Sequence, residues 1–195
     1  MDATTQYLML VSGYTPLAQF GTMTWAGKTD SSVTLTPGST TYTTSGNAVG
    51  NHVYGDAFPT IDDLGLYLDV QLLHGYNSSP TRVAWLGVCN TTSAFTYSQR
   101  LLYTGWYWSG AIWYPSTTDS TNATPLTAST YRIALRTESG VVKFYIKKTG
   151  GVTRGPFPVP TGTLRLMMLS QSGYLLPEAA ILNSGAIYQG GGGLF

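Results

Sequence analysis

The chain has 195 residues, enough for one domain with a substantial core, and its composition demands no second one. Only 10% of residues are charged, against 43% hydrophobic and 13% aromatic; this excludes a disordered chain and suits strands whose solvent faces carry hydroxyls rather than Lys and Glu. A net charge of +1 supplies no overall field for nucleic acid or an anionic membrane, and the lone Cys89 excludes an intrachain disulfide or a thiolate zinc cluster.

The opening MDATTQYLML has an acidic second residue and no basic region before its apolar one, so no secretory signal is read there. No apolar run reaches the ~20 residues of a membrane helix. Residues 1–30 are read as an N-terminal segment of strands or an arm attached to the main domain. Strands are expected at 7–11 and 19–25, with Gly13, Pro16, Gly21 and Gly27 as breaks. From Ser32, SVTLTPGSTTYTTSG reads as two short Thr-rich strands around a Pro37-Gly38 turn, where Pro presets φ and Gly takes the next position. Residues 46–56 read as a polar connection carrying His52. LGLYLDVQLL, residues 64–73, alternates: Leu64, Leu66, Leu68, Val70 and Leu72 share one face, Tyr67, Asp69 and Gln71 the other. After a Ser78-Ser79-Pro80 loop, the near-continuous apolar run 83–89 suggests a strand covered on both sides.

LLYTGWYWSGAIWY, residues 101–114, holds Trp106, Tyr107, Trp108, Trp113 and Tyr114, and is followed by a loop over 122–129. The clearest hairpin is YRIALRTESGVVKFYIKK, residues 131–148. Period-two alternation on both sides of Ser139-Gly140 marks two half-buried strands joined by a tight turn. A two-residue loop sets Leu135 opposite Phe144 and Ile133 opposite Ile146. It also sets Arg132 near Lys147 and Arg136 near Lys143, a basic outer face on which like charges oppose one another. The simpler expectation is that a one-residue bulge after Gly140 offsets these charges and that they keep an edge soluble. GGVTRGPFPVP, residues 150–160, cannot be a central strand; a rigid loop is the plainer reading, a docking segment the alternative. Strands are expected again at 163–170 and 180–188, before a Gly-rich tail over 190–195. No ten-residue segment sustains helical periodicity. Short strands separated by turn signals throughout mean an all-β antiparallel sandwich or barrel, with the domain spanning 31–189.

The order of these segments resembles the SPRY-type β-sandwich, a branch of the concanavalin A-like lectin architecture. The matching features are the Thr/Ser-rich hairpin VTLTPGSTTYTTSG, a polar link, DDLGLYLDVQL, the strand WLGVC, the later hairpin RIALRTESGVVKFYIKKTG and the return strand GTLRLMMLSQSG. The resemblance covers roughly residues 30–172 and rests on order and pattern. One departure is that Tyr67-Leu68-Asp69-Val70 stands where the family carries a Trp/Tyr-x-Glu-Val core. The resemblance implies an antiparallel jelly-roll sandwich and a binding function, as found in bacteriophage virion proteins.

Catalysis is poorly supported. A retaining glucanase of this superfold needs two carboxyls about 5 Å apart, but Glu138 and Glu178 are distant in sequence, Asp62 and Asp63 are adjacent, and Asp69 has no acidic neighbour two or four residues away. His52 and His74 are the only imidazoles, no nucleophile elbow is present, and Cys89 reads as a buried inert thiol. Asp56, Asp62 and Asp63 could form a lectin-type calcium site, though solvated loop acids are the plainer reading. No metal or cofactor is expected. Asn77, Asn90 and Asn122 begin N-x-Ser/Thr sequons, which carry little weight without a signal.

The aromatic run is the best binding candidate, because Trp106, Tyr107 and Trp108 cannot all face one core in an extended segment. The favoured arrangement buries Trp106 and Trp108 and leaves Tyr107 on the surface. The function expected is a non-enzymatic virion structural or attachment protein, a bacteriophage decoration, spike or fibre component. It would sit on the particle surface with copies of itself, other virion proteins and a host cell-surface glycan as partners, and with no nucleic acid or membrane. The alternative is a stand-alone carbohydrate- or peptide-binding module.

Overall fold

The computed structural model describes residues 22–45, 51–73, 84–115, 117–121, 123–171, 173–174 and 176–187. The expected strand at 7–11, His74, Asn77, the Pro80 loop, Asn122 and the tail 190–195 lie outside them.

Period-two alternation dominates the sequence, and the chain accordingly folds into strands: β1 (Trp25–Lys28), β2 (Val33–Thr34), β3 (Thr43–Thr44), β4 (His52–Ala57), β5 (Leu66–Leu72), β6 (Ala84–Cys89), β7 (Tyr103–Tyr107), β8 (Ile112–Tyr114), β9 (Thr117–Asp119), β10 (Ser129–Glu138), β11 (Val141–Lys148), β12 (Thr153–Pro158), β13 (Arg165–Ser170) and β14 (Ala179–Ala186). The only helical element among the described residues is one 3-10 turn, Arg100–Leu102. Seven strands form a sheet in the order β1-β4-β13-β6-β7-β8-β9, and five form a second in the order β12-β11-β10-β5-β14. The hairpin β2-β3 stands apart, with Val33 opposite Thr44; Gly38, at φ +83°, closes it after Pro37 as expected.

The two sheets bury a common core. The larger contributes Trp25, Val53, Leu86, Trp106, Ile112 and Met168, and the smaller contributes Leu68, Val70, Ile133, Leu135, Phe144 and Ile146. Each such side chain contributes about 1.5–3 kcal/mol on burial, so the alternation itself fixes which face of each strand turns inward. Bonds between the layers hold their relative position. The Thr104 hydroxyl on β7 donates to the Pro158 carbonyl on β12 at 2.7 Å, and Trp106 meets Tyr131 edge to face at 5.5 Å.

The β10–β11 register is the expected one, with Leu135 opposite Phe144 and Ile133 opposite Ile146. The expected bulge is absent. The ladder runs unbroken to Glu138–Val141, and Ser139 (φ +50°) with Gly140 (φ +78°) forms a two-residue turn. Three further expectations are corrected. Residues 52–57 are not a polar connection but β4, second in the larger sheet, because Val53 faces the core while His52 finds polar partners in Thr29 and Thr91. Gly27 does not break a strand ending at Trp25. The strand begins there, and Gly27 lies inside it because a Cβ would come 2.3 Å from the Tyr54 hydroxyl. The Pro-rich segment is neither loop nor central strand but the edge strand β12, where one side of the backbone needs no ladder donors. A cis Gly155–Pro156 bond lies within it.

Candidate functional site

Outward-facing positions on a half-solvated sheet are ordinarily polar. On the larger sheet they are aromatic. β7 alternates, placing Thr104 and Trp106 inward and Tyr103 and Tyr107 outward; β6 turns Trp85 and Cys89 outward; β8 turns Trp113 outward and Ile112 inward. Glycines make room for these rings. Gly87 lies opposite Gly105, and Gly105 lies opposite Trp113, so large side chains converge over positions that have none. The fully buried Trp85 stacks on Tyr107, its direct cross-strand partner, with centroids 4.5 Å apart and planes at 25°. Trp113 meets Trp85 at 5.3 Å and Tyr107 at 4.9 Å.

The segment 90–102 covers part of this face. Tyr97 stacks on Trp85 at 5.5 Å with the planes 11° apart, and its carbonyl accepts a 2.7 Å hydrogen bond from the Tyr103 hydroxyl. Arg100 places its guanidinium 4.0 Å from the centre of the Trp113 ring and donates to Thr118 Oγ1 at 3.2 Å. Phe95 covers His52 at 4.6 Å. Burial drives the His52 pKa down to about 4, only partly opposed by the bond to the Thr91 carbonyl. Burial likewise pushes the Cys89 thiol up to about 11, which leaves it inert. At the surface of this cluster Tyr97, Tyr107, Trp108 and Trp113 remain partly exposed, and Leu102 packs against it.

The structure thus divides the aromatic candidates. Tyr107, Trp108 and Trp113 gather on the outer face. Trp106 faces the sandwich core, its indole nitrogen donating to the Thr124 carbonyl at 2.9 Å, and Tyr114 packs inward against Phe157 at 5.4 Å. The expectation that Trp108 is buried with Trp106 is corrected: the strand ends at Tyr107, and Trp108 turns back against that residue's ring at 5.4 Å. Trp85, Tyr97, Arg100 and Tyr103 were not legible as members of the site. The signal for Tyr97 and Arg100 was the density of apolar residues in 95–102, unusual for a loop; that for Trp85 was the doubly covered apolar run 83–89, and Tyr103 lay in the aromatic segment 101–114.

The basic candidates lie on the outer face of the smaller sheet, with Arg132 opposite Lys147 and Arg136 opposite Lys143. Acids and rings interleave them. Arg132 donates from Nε to Asp69 Oδ1 at 2.7 Å and from Nη2 to Oδ2 at 2.8 Å, and lies 4.3 Å from the Tyr67 ring. Arg136 pairs with Glu138, which also accepts from the Tyr145 hydroxyl. The Tyr145 bond and the guanidinium hold the Glu138 carboxyl below its usual range against a smaller opposing effect of burial. The calcium candidates do other work. Asp56 Oδ2 accepts from Thr24, and Asp62 Oδ1 caps the turn at Leu64 and Gly65. Among the described residues no three metal-ligating side chains come together.

The chain is similar to the SPRY domain of human HERC1, with a TM-score of 0.55, 15% sequence identity, and coverage of 80% of this chain and 98% of that one. It is also similar to a legume lectin-like domain from Entamoeba histolytica, with a TM-score of 0.39, 11% identity, and coverage of 87% and 89%. No protein-family model matches the sequence, and no curated protein matches it. The first likeness fixes the fold: an antiparallel β-sandwich of the SPRY type, as the order of segments implied.

Proposed function

We propose that the protein is a non-catalytic recognition module of lectin-like character, which stacks sugar rings on the aromatic outer face of the larger sheet. The observation that carries this reading is the grouping of Tyr97, Tyr107, Trp108 and Trp113, all partly exposed, around the buried Trp85, with Arg100 beside them as a charged donor. Flat rings bind the apolar faces of sugars, while a guanidinium fixes orientation through hydroxyls. The carboxylates support the non-enzymatic reading, since Asp69 is held by Arg132 and Glu138 by Arg136 and Tyr145. A glycan array probed with the native chain and with Y107A/W113A tests it. Binding lost in the variant at an unchanged melting temperature supports the proposal; binding that survives intact overturns it.

A second reading places the same face in subunit contacts of a virion attachment protein, a bacteriophage decoration, spike or fibre component. Leu101, 71% exposed and next to Arg100 in the 3-10 turn, favours it, since an aliphatic side chain adds to a protein interface more than to a sugar site. Native mass spectrometry separates the two. A closed oligomer that dissociates on Leu101→Asp supports the interface, and a monomer at all concentrations removes it.

A further inference from the structure

On the opposite side of the molecule, the turn between β11 and β12 separates two grooves. The first, of about 320 Å³, is lined by Asp69, Thr130, Arg132, Lys147, Lys148 and Thr149, with Gly150 at its rim. The chain has ten Lys and Arg residues in all, and three of them, Arg132, Lys147 and Lys148, meet here against the single acid Asp69. The register sets Arg132 beside Lys147 on the outer face, while Lys148, opposite the core-facing Tyr131, leaves the strand end on the other face and lines both grooves where they adjoin. Asp69 offsets the Arg132 charge, and the three cations against one acid leave the groove basic.

Arg132 is pre-organised for an anionic ligand. Asp69 takes its Nε and one Nη2 donor, and the Tyr67 ring lies at 4.3 Å, so the guanidinium plane is fixed, and its Nη1 donors meet no acceptor among the described residues. The turn itself is closed by the Gly151 N–H donating to the Lys148 carbonyl at 2.9 Å, with Gly150 at φ +73°. Across this turn lies the second groove, of about 490 Å³. It shares Lys148, Thr149 and Gly150 with the first and continues over Gly151 and Val152 to Ala123, Thr124 and Trp106. Val152 is 62% exposed there, an apolar surface beside a cationic one. Thr130 and Thr149 line the first groove and Thr149 and Thr124 the second, with the Thr149 hydroxyl donating to the Thr130 carbonyl at 3.1 Å.

We propose that these two grooves form a binding site for an acidic oligosaccharide, with the anionic group between Arg132, Lys147 and Lys148 and the next sugar over Val152. The size suits this, since grooves of roughly 300–1,000 Å³ accommodate small ligands. The chemistry suits it as well: a fixed guanidinium and two ammonium groups take a carboxylate or a sulfate ester, hydroxyls take sugar hydroxyls, and the aliphatic surface takes a ring face. A phosphodiester chain or an acidic peptide offers charge without the hydroxyl-rich rings that the threonines match. The site is independent of the aromatic face on the other sheet.

The test is calorimetric titration of the full chain with a uronate hexasaccharide, a sulfated hexasaccharide and a neutral glucan hexasaccharide. Oligoglutamate and a single-stranded oligonucleotide of equal charge serve as controls. Binding of either acidic saccharide that Lys148→Ala weakens, with any binding of the neutral one unaffected by that substitution and weaker binding of both controls, supports the proposal, and the two acidic arms show which anion is preferred. Lys148→Ala should weaken that binding about tenfold, the loss of one charge-assisted contact. Val152→Ser should weaken the hexasaccharide but not a free monouronate. Val141→Ala, at the opposite end of β11, should leave both unchanged. Failure of both acidic saccharides to bind, equal binding of the charge-matched controls, or Lys148→Ala binding like the native chain would each overturn it.

Discussion

Arg154 on β12 donates from Nη2 to Asp119 Oδ2 on β9 at 3.0 Å, and so ties the edge strand of the smaller sheet to the edge strand of the larger one. The guanidinium also donates to the Gly110 carbonyl and, at 3.2 Å, to the Asp119 carbonyl, and lies 5.4 Å from the Trp106 ring.

Arg154 is only 5% exposed, so removing its charge strands polar partners rather than returning them to water. Arg154→Met keeps the aliphatic stem and deletes every donor. It should cost about 3 kcal/mol, the scale for breaking a buried pair, and lower the melting temperature by roughly 6–12 °C. A fall below about 2 °C by calorimetry would show that the edges are held together by apolar contact alone.

The same glycine substitution should have two sizes of effect. A Cβ at Gly87 would lie 2.0 Å from the Thr104 carbonyl oxygen and 2.4 Å from the Gly105 Cα, both rigid backbone. Gly87→Ala must therefore separate β6 from β7, at about 3 kcal/mol, and disturb the Trp85–Tyr107 stack. Gly38→Ala meets nothing within 4 Å and should cost only the positive φ, about 1 kcal/mol. Chemical denaturation gives both values, and near-ultraviolet circular dichroism should change for Gly87→Ala alone.

His52 makes stability depend on pH. Its folded pKa of about 4 lies below the ordinary 6.5, so the unfolded chain takes up a proton between these values and the folded chain does not. Stability is complete above pH 6.5 and falls as the pH is lowered towards 4. By pH 5 this one group should remove about 2 kcal/mol, or roughly 4–8 °C in melting temperature. His52→Gln, which retains hydrogen bonding, should flatten the melting curve between pH 7 and 5; an unchanged slope would exclude His52 as its source.

Of the five tryptophans, Trp25, Trp85 and Trp106 are buried, whereas Trp108 and Trp113 are partly exposed. Acrylamide should therefore quench the native fluorescence in two populations, and W113A should remove most of the accessible one. A saccharide seated on the aromatic face should protect that population. Quenching unchanged at saturating ligand would place the ligand elsewhere.

Much of the fold was legible because burial on a strand repeats every second residue. Leu66, Leu68, Val70 and Leu72 on β5, and Ile133 and Leu135 opposite Ile146 and Phe144, could be assigned to the inner face from spacing alone. β4 was missed because His52, Gly55 and Asp56 look like a linker; Val53 in the core and Phe95 packed over His52 cover the strand on both faces. The candidate site was half legible. A run of three adjacent aromatics had to split between two faces, but which face gained company depended on residues distant in sequence.

Composition and periodicity by themselves determined an all-β antiparallel sandwich and the inner-face register of β10 and β11, because these follow from local alternation and a two-residue turn; that the cations of the outer face stand directly opposed, with no bulge to offset them, was decided by the structure. Tertiary structure alone decided that Trp85 and Tyr97 join Tyr107 and Trp113, and that Asp69 reaches Arg132 from another strand. It alone decided, too, that Arg154 ties the two sheet edges together. Strand order and layer packing set those contacts, and no spacing along a single strand encodes which strands lie side by side.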